Sequence, residues 1–198
     1  MTRVGPDAGP QVGGPAARLE VRINARLQPV HRGDRYEDPL AFLLERAFPG
    51  SAVTGGGTLV SGEGEPLTCA IEADIVGDHE EIAEAVVRLL EAQGAPRGSS
   101  LVIDQGEATL FGSTDGLALY LDGAGLAPEV YADNDVNVLL DHVHIALADV
   151  GSLQSFWEGP VDTALYLYGD SADAMHIALA DLLATHPLAG NHRMVPIT

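Results

Sequence analysis

The chain contains no lysine. All ten of its bases are arginine, set against 29 Asp and Glu, for a formal net charge of −19 over 198 residues. A chain of ordinary composition is roughly 25% charged with the signs balanced, about 25 residues of each sign at this length. The acids are therefore near their usual number and the bases are missing. Between Gly98 and His192 the depletion is complete, with fourteen acids and no Lys or Arg. Such a stretch repels phosphate and attracts cations, which argues against nucleic acid as a partner and for a basic protein. A DNA mimic fits less well, because mimicry calls for added acids rather than lost bases.

Other scarcities narrow the field further. Cys69 is the only cysteine, so an intramolecular disulfide is excluded and secretion gains no support. Aromatic residues are 5% of the chain while hydrophobic residues are 46%, which predicts a core of Ala, Val, Leu and Ile. No run approaches the roughly 18 apolar residues of a membrane span. Residues 1–17 are rich in Gly and Pro and lack the apolar stretch of a signal peptide. They read as a disordered lead-in, and the expected compartment is the cytoplasm.

Catalytic and metal motifs are missing as well. The seven histidines show no HExxH spacing and no paired cysteines accompany them. His142 and His144 stand two apart in a predicted helix and point to different sides. Gly55-Gly56-Gly57-Thr58 lacks the lysine of a phosphate-binding loop and precedes a strand, so it reads as a bulge or turn. Cys69 alternates with Ile71 and Ile75 on the core side of a strand, as a buried structural thiol would. No catalytic residue, metal ligand or cofactor site is assigned from these features.

What is present is an internal repeat. LTCAIEADIV-GD-HEEIAEAVVRLLEAQ aligns without gaps, 92 residues on, with GPVDTALYLY-GD-SADAMHIALADLLAT. Gly77-Asp78 falls on Gly169-Asp170, Gly98 on Gly190 and Ile103 on Val195, with each Asp placed to cap the following helix. Upstream, ARLEVRINARL alternates as a strand, EDPLAFLLERAF reads as a helix and SAVTGGGTLV as a second strand. In the second copy these become DGLALYLDG, DNDVNVLLDHVHIALADVG and LQSFWEG. Each half reads β-α-β-β-α-β, so the expected fold is α+β, two tandem ferredoxin-like units spanning 18–106 and 107–198.

Both helices of such a unit cover one sheet face and leave the other open. Period-2 alternation gives the first unit's open face Glu20, Arg22, Asn24, Arg26, Glu72 and Asp74. The second unit's open face receives Tyr120, Tyr166 and Tyr168, with Trp157 or Phe156 beside them. Rings flanked by carboxylates suit Arg and Lys side chains. The predicted partner-binding set is Tyr120, Asp141, Trp157, Glu158, Asp162, Tyr166, Tyr168 and Asp173. The bland reading is that the tyrosines pack the first unit or a second chain, as a homodimer.

The resulting expectation is a non-enzymatic acidic module that engages a basic protein, as an immunity protein or another protein inhibitor does. The alternative is an enzyme or small-ligand sensor using the crevice between the copies, with Glu72, Asp74, Tyr120 and Tyr166 as its candidates.

Overall fold

The alternating sequence AARLEVRI forms β1 (Ala16–Ile23), which buries Ala17, Leu19, Val21 and Ile23 and exposes Arg18, Glu20 and Arg22. This is the start of the computed structural model, which describes residues 16–198. The chain continues through α1 (Pro29–Arg32), a π-helical turn over Gly33–Glu37, α2 (Asp38–Ala47), β2 (Ala52–Val60) and β3 (Pro66–Val76). It then forms α3 (His79–Ala92) and β4 (Ser99–Ile103), followed by a short β5 (Thr109–Phe111). The second half is β6 (Asp115–Asp122), α4 (Pro128–Asp133), α5 (Val136–Leu147), β7 (Gly151–Glu158), β8 (Asp162–Gly169), α6 (Ala172–Thr185) and β9 (Arg193–Ile197).

Strand order settles the class. The first sheet runs β2-β3-β1-β4-β5 and the second β7-β8-β6-β9, with antiparallel neighbours in both. Within each unit the order is second, third, first, fourth strand, which is the ferredoxin-like βαββαβ arrangement. The chain is α+β with two such units in tandem.

Several boundaries differ from the sequence reading. β1 begins at Ala16, so the first unit starts ahead of residue 18; residues 1–15 of the expected lead-in lie outside the described residues. β5 adds to β4, which carries the first unit's sheet past residue 106 to Phe111. The break between units therefore falls at 112–114. The gapless repeat also fails at two points. Asp78 caps α3, accepting from the Glu80 and Glu81 N–H groups at 3.0 and 3.2 Å, but α6 is capped by Ser171 and Asp170 is exposed. Val195 pairs with Ala118 on the open face, whereas Ile103 pairs with Leu19 and packs on the core. A slip of one residue turns a strand over. The glycine run lies inside β2 rather than ahead of it, with a bulge-like register shift just before it, between Val53 and Gly55.

Two cores result. In the second unit Leu117, Leu119, Leu121, Leu165 and Leu167 of the sheet pack under Leu139, Val143 and Leu147 of α5 and Met175, Leu179 and Leu183 of α6. In the first unit the buried faces of β1 and β3 pack under Leu40, Leu44, Ile82, Val86 and Leu90. That core does not end at the unit's edge. Ala118, Tyr120, Ala164, Tyr166 and Tyr168, the open face of the second sheet, belong to it. Among the described residues no helix is long and apolar enough to cross a membrane.

Candidate functional site: a sealed junction and an acidic cleft

The open face of the second sheet is sealed by the chain that leaves β1. The Arg26 N–H donates to the Tyr168 hydroxyl at 2.7 Å, the Gln28 N–H to Ser155 Oγ at 3.1 Å, and Gln28 Nε2 to the Phe156 carbonyl at 2.8 Å. His31 Nδ1 also lies 2.9 Å from Ser155 Oγ. The first unit thus meets the second sheet with the segment that follows β1 rather than with its charged face. Arg18, Glu20 and Glu72 stay together on that outer face, Arg18 pairing with Glu72 at 2.5 Å and Glu20 at 3.5 Å. Register sets Arg18 opposite Asp74, and its guanidinium reaches Glu72 of the next pair on the same face.

At the centre of the junction one carboxylate oxygen gathers three donors. Glu65 Oε1 accepts from Arg26 Nη1 at 2.7 Å, from the Tyr120 hydroxyl at 2.5 Å and from the Tyr166 hydroxyl at 3.0 Å. Arg26 Nη1 also donates to the Tyr120 hydroxyl at 2.8 Å. Burial, reinforced by the Glu65 carboxylate, raises the Tyr120 and Tyr166 phenols above their ordinary range. Burial is the main cause that raises Tyr168, with Tyr36 and Cys69 adding to it against the opposing effect of Arg26. For Arg26 burial works against the charge, but Tyr120, Glu65 and Tyr166 outweigh it and the guanidinium is held charged.

This corrects the expected partner surface. Tyr120, Tyr166 and Tyr168 are 5%, 0% and 1% exposed, so they cannot stack on the side chains of another protein. The bland reading of these rings, packing against the first unit, is what the fold uses. Trp157 joins the same face, partly buried against the same core. Asp162 pairs with Arg193 at 2.8 Å, and that guanidinium lies 3.6 Å above the Tyr120 ring. Asp141 on α5, Asp173 on α6 and Glu158 at the end of β7 remain exposed. Glu72 and Asp74, offered with Tyr120 and Tyr166 for a crevice between copies, stand on the outer face and do not share the tyrosines' hydrogen bonds.

The second unit opens a cleft on its helical side. Its volume is about 670 Å³, within the range of small-molecule sites. Leu121, Leu140, Leu153, Phe156, Leu165 and Leu188 provide an apolar lining, and Asp122, Asp135 and Glu158 are the only charged residues on it. The mouth is shaped by α4, a short helix with Pro128 in its first turn. The Tyr131 hydroxyl pins α4 by accepting from the Leu126 N–H at 3.0 Å and donating to the Asp122 carbonyl at 3.2 Å. Asn134 Nδ2 donates to the Val130 carbonyl at 2.8 Å and closes the helix.

The three acids differ in their commitments. Asp122 accepts from Asn191 Nδ2 and from the Gly125 and Ala124 N–H groups, which lower its carboxyl below the usual range. Asp135 caps α5 by accepting from the Asn137 N–H at 2.9 Å. Glu158, opposite Thr163 in the sheet, has no hydrogen-bond or ion-pair partner among the described residues. Turn and cap roles for Asp122 and Asp135 are legible in the sequence; their common cleft is not. One missed signal is Ala127-Pro128-Glu129, a helix start that separates α4 from α5.

Elsewhere, Cys69 is buried, and burial raises its thiol above the ordinary range, so it is a packed and unreactive group. Among the described residues no group of three or more His, Cys, Asp or Glu is placed to hold a metal ion.

No protein-family model matches the chain. No curated protein matches it either. Among solved structures, an unknown protein from Galdieria sulphuraria is 10% identical, covering 92% of this chain and 96% of its own, with a TM-score of 0.31. The regulatory subunit of aspartate kinase from Thermus thermophilus is 19% identical, with 83% and 92% coverage and a TM-score of 0.26. The first two RRM domains of the yeast poly(U)-binding protein are 12% identical, with 91% and 99% coverage and a TM-score of 0.25.

Proposed function

We propose that the chain is a non-enzymatic binding module whose second unit engages a basic protein surface, as immunity proteins and other protein inhibitors do. The observation that carries this reading is the fate of the one base in the second unit. Arg193 is taken up by Asp162 and the Tyr120 ring, leaving exposed Asp141, Asp149, Glu158, Asp173 and Asp181 without a neighbouring cation in that unit's sequence. A field of one sign steers an oppositely charged partner and raises its association rate, with a strong salt dependence. The contact set is narrower than the sequence alone gives: it omits the three tyrosines and keeps Asp141, Glu158 and Asp173.

The test is capture of partners from a lysate on the immobilised chain at 50 and 300 mM salt, followed by kinetics on whatever is retained. A basic partner is expected whose association slows at the higher salt. The triple variant Asp141→Asn, Asp173→Asn, Asp181→Asn should slow association by about tenfold and flatten the salt slope. Retention that ignores both salt and these substitutions would overturn the proposal.

A further inference from the structure

We infer that the cleft of the second unit is a binding site for a small lipophilic organic cation, an amine or amidine on a hydrocarbon or aromatic body. Three features of the cleft lead to this class of ligand. Its volume of about 670 Å³ exceeds what one protein side chain fills and matches a small molecule. Its interior is made by Leu121, Leu140, Leu153, Phe156 and Leu165, surface that releases water favourably when an apolar body covers it. Its charged groups are all carboxylates, so an anionic ligand meets repulsion from each side.

The carboxylates also divide the labour. Asp122 and Asp135 already hold a turn and a helix cap, so they contribute field without being free to reorient. Glu158 is free to make a new charge-assisted bond, with the Thr163 hydroxyl across from it on β8. An ammonium seated between Glu158 and Thr163 leaves its apolar body directed along the leucine-lined floor. The site is separate from the junction, where Arg26, Glu65 and three tyrosines are bonded to one another. It shares Glu158 with the proposed protein contact, but Asp141 and Asp173 of that contact lie on α5 and α6 and do not line the cleft.

The experiment titrates the whole chain with three matched probes, 4-phenylbutylamine, 4-phenylbutanol and 4-phenylbutyrate, by calorimetry at 20 and 200 mM salt. The amine should bind saturably, about tenfold more tightly than the alcohol at low salt, and the carboxylate should not bind. Glu158→Gln, an exposed position, should remove most of the amine's preference over the alcohol while leaving the melting temperature unchanged. Leu153→Trp should block all three probes by filling the floor, and Leu140→Phe serves if that variant does not fold. Equal affinity for amine and carboxylate, no saturation by the amine up to 10 mM, or a full preference retained in Glu158→Gln would each overturn the assignment. Binding of a Leu-Arg-Leu peptide without any binding of the amine would also overturn it and give the cleft to a protein. Loss of the cleft site with salt-dependent capture intact leaves the proposed protein contact standing.

Discussion

Replacing Glu65 with alanine tests whether the junction is a fastened interface or two units resting side by side. The carboxylate sits 18% exposed against an Arg26 side chain 20% exposed, and one of its oxygens takes bonds from Arg26, Tyr120 and Tyr166. Hydrogen bonds to a charged group contribute about 1.5–3 kcal/mol each, but they are not additive and water replaces part of what is lost at a half-wet site. Removing one partner of a buried pair costs about 3–5 kcal/mol, because the other charge is stranded. Arg26 is already short of one bond, since its Nε has no partner. The expected loss is about 2–4 kcal/mol, below the fully buried figure because both groups keep some contact with water. At this chain length each kcal/mol moves the melting temperature by about 2–4 °C, giving a fall of roughly 4–16 °C. Thermal unfolding followed by far-UV circular dichroism measures it, and urea denaturation supplies the free energy. In a double-mutant cycle, Tyr120→Phe should cost much less in the Glu65→Ala background than alone. A Glu65→Ala variant within 0.5 kcal/mol of the parent, or strictly additive costs in the cycle, would refute the reading of the junction.

The remaining predictions concern protonation, an orphaned hydroxyl and one backbone position. Tyr36, Tyr120, Tyr166 and Tyr168 all have phenols raised by burial, so the folded chain keeps protons that the unfolded chain releases near pH 10. Their stabilisation is complete below that pH and is lost as pH rises through it, by up to about 1.4 kcal/mol per pH unit for each tyrosine. The urea midpoint should fall steeply between pH 9 and 11, and a flat midpoint would contradict it. The Tyr36 hydroxyl is buried with no partner, whereas that of Tyr168 accepts from the Arg26 N–H. Tyr36→Phe should therefore be neutral or stabilising and Tyr168→Phe should cost about 1–2 kcal/mol; the reverse order in urea denaturation would contradict the burial argument. Gly112 has φ of 108°, and a Cβ there would lie 2.0 Å from the Pro96 carbonyl oxygen. Gly112→Ala should cost about 2–5 kcal/mol through strain and overlap, measurable as a lowered melting temperature; an unchanged one would show that the turn gives way freely.

How far the sequence reached depends on whether a feature is local. β1 and β3 are legible because every second residue is apolar, and α3 because Asp78 starts it and Ile82, Val86 and Leu90 recur on one face. The repeat is legible for the same reason, since each copy needs the same periodicities. It loses register at β9, where the turn through Pro187–Ala189 sets the strand phase. Alternation assigns Tyr120, Tyr166 and Tyr168 to the open face correctly, yet it says nothing about what covers that face.

Composition, the phase of β1, β3, β6 and β8, and the absence of bases were thus determined by the sequence alone, because each is a property of neighbouring residues. The covering of the second sheet, the gathering of Arg26, Glu65, Tyr120 and Tyr166, and the cleft below α4 were decided only by tertiary structure. Glu65 and Tyr166 stand 101 residues apart in the chain, and no local pattern records a contact of that span. The same holds for the base-free stretch. Its charge is read from the sequence, but which carboxylates face solvent depends on which were drawn into caps, turns and the pair with Arg193 as the chain packed.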